Sequence, residues 1–230
     1  MNMKISGSGV IPAGEYDDIK TSGSSRLLGE VRCESLCTSG MTRAESLFCR
    51  GKIIGSGKSL FSGSVCAKKI KSSGNFYCAG DIRADSIESS GSIKCKSKIK
   101  SKYLNSSGVI SASQIEAENV TVYGALRCEG LLNAENVEII SDGKCIIGSI
   151  GGSKITVKTR RWIFSFFKRR TVVKSTIEGD EITLKKVICP RVSGRAVIVR
   201  GGCIIDLLQY SEKIEIARGA RVKRIEKVDC

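Results

Sequence analysis

Apolar residues recur along this chain at one long, regular step. Leu36, Ile53, Ile70, Ile87 and Leu104 stand 17 residues apart, and Val137 continues the series further on. A second apolar column, Val31, Phe48, Val65, Ile82 and Ile99, keeps the same step and is resumed at Leu132. Small residues fall between the two columns at Gly29, Ser46, Gly63, Gly80, Ser97 and Gly130. Gly23, Gly40, Gly57, Gly74, Gly91 and Gly108 repeat at the same interval of 17, each preceded by two small residues such as Ser72-Ser73 or Ser89-Ser90. One residue is then lost, which places Ile115 and Val120 one position early, and Gly124 resumes the pattern.

A step this short excludes paired-helix repeats, which need about 34 residues or more. Glycine and β-branched residues at this density also oppose helix. Short strands separated by Gly/Ser bends fit an all-β, parallel β-helix of about 17 residues per coil, each coil having three sides and lying about 4.8 Å from the next. One coil cannot bury its own apolar column, but stacked coils can. Gly74 is expected at a corner that tolerates positive φ, a freedom that a Val there would lose.

The period divides the chain. Residues 1–22 form an N-terminal segment with an imperfect first coil around Ile5–Ile11, and 23–157 hold the regular coils. From about Asp142 the beat blurs. Residues 158–174 interrupt it, 175–210 return to coil-like chemistry, and 211–230 read as a basic tail. The interruption contains the only Trp and three of the six Phe, and from Gly143 to Ile177 nine Lys or Arg occur with no acidic residue. Arg160, Arg161, Trp162, Phe164, Phe166, Phe167, Lys168, Arg169 and Arg170 are therefore candidates for contact with an anionic membrane surface or a protein partner. A loop that folds its aromatic rings onto the solenoid flank fits the same residues.

Composition narrows the chemistry. The 230 residues carry a formal charge of +15 and no histidine, which favours anionic partners such as nucleic acid, anionic lipid or cell-wall polymer. Eleven cysteines occur without zinc-type pairing; the tightest spacing, Cys33 and Cys37, has no matching second pair. Cys78, Cys95 and Cys128 share one repeat position and read as free, buried thiols in a reducing compartment. No apolar run approaches the roughly 18 residues of a spanning helix, and the first residues lack the apolar core of a signal peptide. A cytoplasmic location is expected, peripheral on the inner face of the membrane if residues 160–170 bind lipid.

The stretches GlyAlaLeuArgCysGluGlyLeuLeuAsnAlaGlu (124–135) and CysAlaGlyAspIleArgAlaAsp (78–85), with the Gly/Ser-cornered coils around them, resemble the bactofilins. The resemblance covers most of residues 20–156 and extends to 175–210. It implies a right-handed β-helix and a polymer-forming cytoskeletal protein of bacteria that assembles end to end without nucleotide, often near the membrane. Family members are typically shorter, and the aromatic-basic interruption is not a family requirement.

The function expected is a non-enzymatic scaffold that needs no cofactor, metal or small-molecule substrate and whose main partner is itself, with cell-envelope proteins or membrane as further partners. Ile204, Ile205, Leu207, Leu208 and Tyr210 keep apolar character near the end of the sequence and are the expected polymerisation face. The alternative is a monomeric β-solenoid module that binds an anionic polymer. Enzyme readings are weaker. Hexapeptide acyltransferases use 18-residue coils and a catalytic histidine, and the acidic residues Glu178, Asp180 and Asp206 have no evident substrate groove.

Overall fold

The computed structural model describes residues 1–160 and 170–228. Among them are twenty β-strands and no helix, and the recorded strand pairs are parallel. The strands wind into a β-solenoid, about 13 turns in all, with roughly 17 residues per coil. Two compact units are distinguished, Met1–Ser113 and Gln114–Cys230.

The first unit contains β1 (Met3–Ile5), β2 (Ser8–Ile11), β3 (Gly14–Thr21), β4 (Ser24–Thr38), β5 (Met41–Gly55), β6 (Lys58–Phe61), β7 (Val65–Ser72), β8 (Asn75–Cys78), β9 (Ile82–Ser89), β10 (Ser92–Cys95), β11 (Lys98–Ser106) and β12 (Val109–Ala112). Its register confirms the first apolar column: Ile19, Leu36, Ile53, Ile70, Ile87 and Leu104 lie on successive rungs and are almost fully buried. Aliphatic side chains suit this interior because β-branched residues pack well on a pleated surface and identical positions stack directly.

The second column departs from the 17-residue count at one place. Val31 pairs with Leu47, and Phe48 points outward at 43% exposure. A bulge between Leu27 and Glu30, with Gly29 at φ +63°, absorbs one residue in that coil, and a second irregularity between Cys49 and Lys52 restores the register. Because side chains alternate faces, a one-residue shift exchanges the inward and outward positions. Phe48 instead lies beside the Arg32 guanidinium, 6.0 Å from ring centroid to Cζ.

The corner glycines also have a different cause from the expected one. Gly23, Gly40, Gly57, Gly74, Gly91 and Gly108 are not among the positive-φ glycines, which are Gly7, Gly14, Gly29, Gly202 and Gly219. What excludes a side chain is the neighbouring rung. A Cβ on Gly74 would overlap the Gly57 carbonyl oxygen and lie 2.5 Å from Ser56 O. The same overlap with the preceding corner glycine repeats at Gly40, Gly57, Gly91 and Gly108. Next to the first corners, buried hydroxyls face inward and satisfy one another, as in Thr21 to Thr42 (3.1 Å), Ser25 to Thr42 (3.0 Å) and Thr38 to Ser59 (3.3 Å), whereas the equivalent buried Ser89 hydroxyl has no hydrogen-bond partner among the described residues.

The second unit contains β13 (Gln114–Val122), β14 (Ala125–Ser141), β15 (Ile146–Thr159), β16 (Thr171–Val173), β17 (Thr176–Lys185), β18 (Val187–Val199), β19 (Ile204–Ile216) and β20 (Arg221–Lys227). One of its columns runs Ile115, Leu132, Ile150, Ile177, Val192, Leu208 and Ile225. Coils here step by variable numbers of residues, which is why the period blurs: Val137 pairs with Ile155, Ile182 with Val197 and Ile204 with Arg221. Residues 211–227, expected as a basic tail, are further coil, because β19 runs to Ile216 and β20 pairs with it in parallel. Lys213, Glu215, Arg221, Lys223 and Arg224 are exposed and leave Ile214 and Val222 on the shielded side of their strands.

Candidate functional site: the last coil and the feet of the insertion

The expected polymerisation residues divide once their neighbours are known. Ile205 and Leu208 are fully buried, while Ile204, Leu207 and Tyr210 are half-buried. All five are in register with β20: Ile204 with Arg221, Ile205 with Val222, Leu207 with Arg224, Leu208 with Ile225 and Tyr210 with Lys227. They therefore lie one rung inside β20, and the outer apolar surface among the described residues belongs to side chains of β19 and β20 that were not among the expected five.

Ile225 continues the fully buried Leu208 column yet is 49% exposed. Ile216 continues the fully buried Val199 column and is 38% exposed. Ile214 and Val222 are half-buried. These four are inward-facing ladder residues with one face packed and the other uncovered among the described residues. The outer edge of β20 has no paired strand among them either, since its recorded partner is β19 alone.

The first coil of the other unit is finished differently. Tyr16 is buried, and its hydroxyl donates to the Pro12 carbonyl at 3.0 Å. Ile5 lies against Gly9, and Ile11 and Val31 are fully buried. Among the described residues β1 and β2 still keep one edge without a partner strand, since each is paired on one side only, with β3 and β4 respectively.

The insertion begins and ends at a single corner. Ile150 pairs with Ile177, a step of 27 residues against the usual 17 or so. Thr159, which closes β15, and Thr171, which opens β16, bring their hydroxyl oxygens within 3.1 Å of each other. Both lie 3.3 Å from the Ser141 hydroxyl, and all three residues are buried. Arg160 N–H donates to Ser141 O at 2.8 Å. Lys158, on β15, is in register with Lys185, on β17. Arg160 is exposed and Arg170 half-buried, so cationic groups gather on the described residues that flank the insertion. The remaining insertion candidates, Arg161, Trp162, Phe164, Phe166, Phe167, Lys168 and Arg169, lie outside the described residues.

A stretch of 100 residues is 33% identical to the uncharacterized protein YhbF of Bacillus subtilis (strain 168). It covers 43% of this chain and 42% of that protein, so the chain spans less than half the length of the curated relative it matches. No family model matches the chain, and no solved structure does.

The ten described cysteines are free thiols. Cys78 and Cys95 occupy neighbouring rungs in register, as their shared repeat position implies, and both are buried with Cys128. Burial pushes the Cys78 thiol up to about 12, Cys128 to about 11 and Cys189 to about 12, and it raises Cys95, Cys145 and Cys203 as well. A thiol held protonated in an apolar interior is a small filler and a poor nucleophile. Among the described residues no group of three or more His, Cys, Asp or Glu could hold a metal ion, and Glu178, Asp180 and Asp206 are not brought together. Asp206 instead pairs with Lys223 at 2.7 Å. No helix among the described residues is long and apolar enough to cross a membrane.

Proposed function

We propose that this chain is a non-enzymatic cytoskeletal scaffold of the bactofilin type, which polymerises without nucleotide by joining the outermost coil of one molecule to that of another. The observation that carries this reading is the final described coil, whose outer face is uncovered among the described residues. Ile225 and Ile216 stand 49% and 38% exposed in columns whose preceding members are fully buried. Soluble solenoids ordinarily close such an end with a polar cap, and free strand edges are templates for pairing with another chain. Covering the four half-packed side chains of that coil is worth on the order of 1 kcal/mol each, in addition to new rung hydrogen bonds. The edges of β1 and β2 offer a second surface for pairing, as a filament requires. The exposed Lys and Arg around both units oppose sideways association, since net charge of one sign keeps surfaces apart.

Association with an anionic membrane through residues 158–174 belongs to the same proposal. It is supported by the gathering of Lys158, Arg160, Arg170 and Lys185 beside an insertion whose sequence is rich in aromatic residues. The competing reading, a monomeric module for an anionic polymer, draws on the net charge of +15.

Negative-stain electron microscopy of the purified protein, in buffer without nucleotide, separates the two. Filaments support the scaffold. Uniform compact particles at every concentration favour the module.

A further inference from the structure

One outward surface of the first unit carries an arrangement that the polymer reading does not use. The strand segments Ser8–Ile11, Ser24–Leu27, Met41–Ala44, Lys58–Phe61, Asn75–Cys78, Ser92–Cys95 and Val109–Ala112 stack in register and contain no Asp or Glu. The remaining strand segments of this unit carry Glu15, Asp17, Asp18, Glu30, Glu34, Glu45, Asp85 and Glu88, and several of these neutralise nearby cations. Arg50 meets Glu34 at 3.3 Å, Lys69 meets Glu88 at 2.6 Å and Lys102 meets Asp85 at 3.4 Å.

On the acid-free surface Arg26 and Arg43 stack directly, rung on rung, and Leu60 and Tyr77 extend the same outward column. Neither arginine has a carboxylate within ion-pair distance among the described residues, whereas Arg32, Arg50 and Arg83, the other arginines of this unit, each have one. Like charges directly opposite on neighbouring strands are destabilising, so this pair costs the fold something that the other arginines do not.

The two arginines, Leu60 and Tyr77 line a surface groove that also touches Leu28, exposed at 43%, and one carboxylate, Glu45. Leu28 is lifted to the rim by the bulge between Leu27 and Glu30, a device that re-aims side chains beside binding sites.

We propose that this groove is a docking site for a short, extended peptide segment that carries carboxylates beside an apolar side chain. Charge complementarity selects the carboxylates. Two adjacent guanidinium groups present forked donors that match them, and an anion there relieves the Arg26–Arg43 repulsion. Leu28, Leu60 and the Tyr77 ring supply a shelf for the apolar side chain. Four rungs span about 14 Å, three steps of about 4.8 Å, which is the length of about four extended residues. A nucleic acid is the poorer fit because its phosphates continue, while the paired cations stop after two rungs and give way to Leu60. A bilayer is the poorer fit because a recessed surface cannot insert side chains into it.

The test is fluorescence polarisation on the full chain with two dye-labelled hexapeptide pools. One alternates Asp or Glu with Leu, Phe or Tyr, and the other has Lys at the acidic positions. The acidic pool binds and the Lys pool does not. Arg26→Glu combined with Arg43→Glu weakens the acidic pool by about tenfold or more, and Tyr77→Ser weakens it several-fold. Lys52→Glu combined with Lys68→Glu makes the same change in net charge on strand segments of this unit outside the groove and leaves affinity within about twofold. Arg26→Gln with Arg43→Gln, which introduces no new charge, is measured alongside and also loses binding, with an unchanged circular dichroism spectrum. The proposal is overturned by absence of acidic-pool binding, by binding that survives both arginine variants, or by equal loss in the Lys52/Lys68 variant. It is equally overturned if oligo-dT or phosphatidylglycerol vesicles bind with the arginine dependence and the peptides do not.

Discussion

Replacing Gly74 by Ala tests the corner geometry with a single methyl group. The added Cβ would overlap the Gly57 carbonyl oxygen and approach Ser56 O to 2.5 Å, and both obstacles are backbone of the preceding rung. Neither atom is the end of a flexible side chain, so the rungs themselves must part. Two hydrogen bonds flank the contact, Ser73 N–H to Gly55 O and Asn75 N–H to Gly57 O, each 2.9 Å. Breaking both without replacement costs about 1–3 kcal/mol apiece, so a total of about 3–5 kcal/mol is expected. Gly7 supplies the contrast. It has φ +103° and nothing within 4 Å of a built Cβ, so Gly7→Ala carries only backbone strain, about 1–2 kcal/mol. Thermal and urea unfolding followed by far-ultraviolet circular dichroism rank the two. At about 2–4 °C per kcal/mol for a chain of this size, Gly74→Ala lowers the melting temperature by roughly 10 °C and Gly7→Ala by a few degrees. If Gly74→Ala costs no more than Gly7→Ala, close approach is not what keeps the corner free of side chains.

Other consequences follow from the same structure. Ile70→Asp puts a carboxylate between Ile53 and Ile87 in a sealed column, and the loss of fold expected from a buried unpaired charge is read from the disappearance of the strand spectrum. Raised thiol pKa values make stability fall at alkaline pH: below the ordinary thiol range, about 8.5, folded and unfolded chains are equally protonated. Above it the unfolded chain deprotonates first, so stability declines until the folded thiols titrate near about 11 to about 12. Urea midpoints at pH 8 and pH 10.5 should therefore differ less in a Cys78→Val/Cys189→Val variant than in the parent. Replacing Trp162, Phe164, Phe166 and Phe167 by Ser is expected to release the protein from anionic vesicles with the coils intact; undiminished vesicle binding refutes a lipid role for the insertion.

The regular coils were readable because nothing interrupts the period between Ile53 and Leu104, where successive rungs carry the same residue type at the same count. Phe48 was misread because a bulge at Leu28–Gly29 is undone within one coil, so a fixed count over the whole run never registers it. The corner glycines were located correctly and explained wrongly: a contact between rungs is a property of two coils, and no local sequence signal reports it. The last coil was missed for a compositional reason. Arg221, Lys223, Arg224 and Lys227 crowd the outward positions, and the two apolar inward positions, Val222 and Ile225, are too few to stand out among them. That omission moved the candidate polymerisation face one rung inward, onto Ile205 and Leu208, where a charge would unfold the unit rather than free its end.

Sedimentation velocity on the parent chain and on Ile225→Lys, over a hundredfold range of concentration without nucleotide, tests the polymer claim most directly. The parent is expected to form species that grow with concentration. Ile225→Lys, which changes a half-exposed side chain, should stay small while keeping the parent's circular dichroism spectrum and melting temperature within a few degrees. A parent chain that sediments as one small species throughout, or an Ile225→Lys chain that assembles as the parent does, would contradict assembly through the last coil.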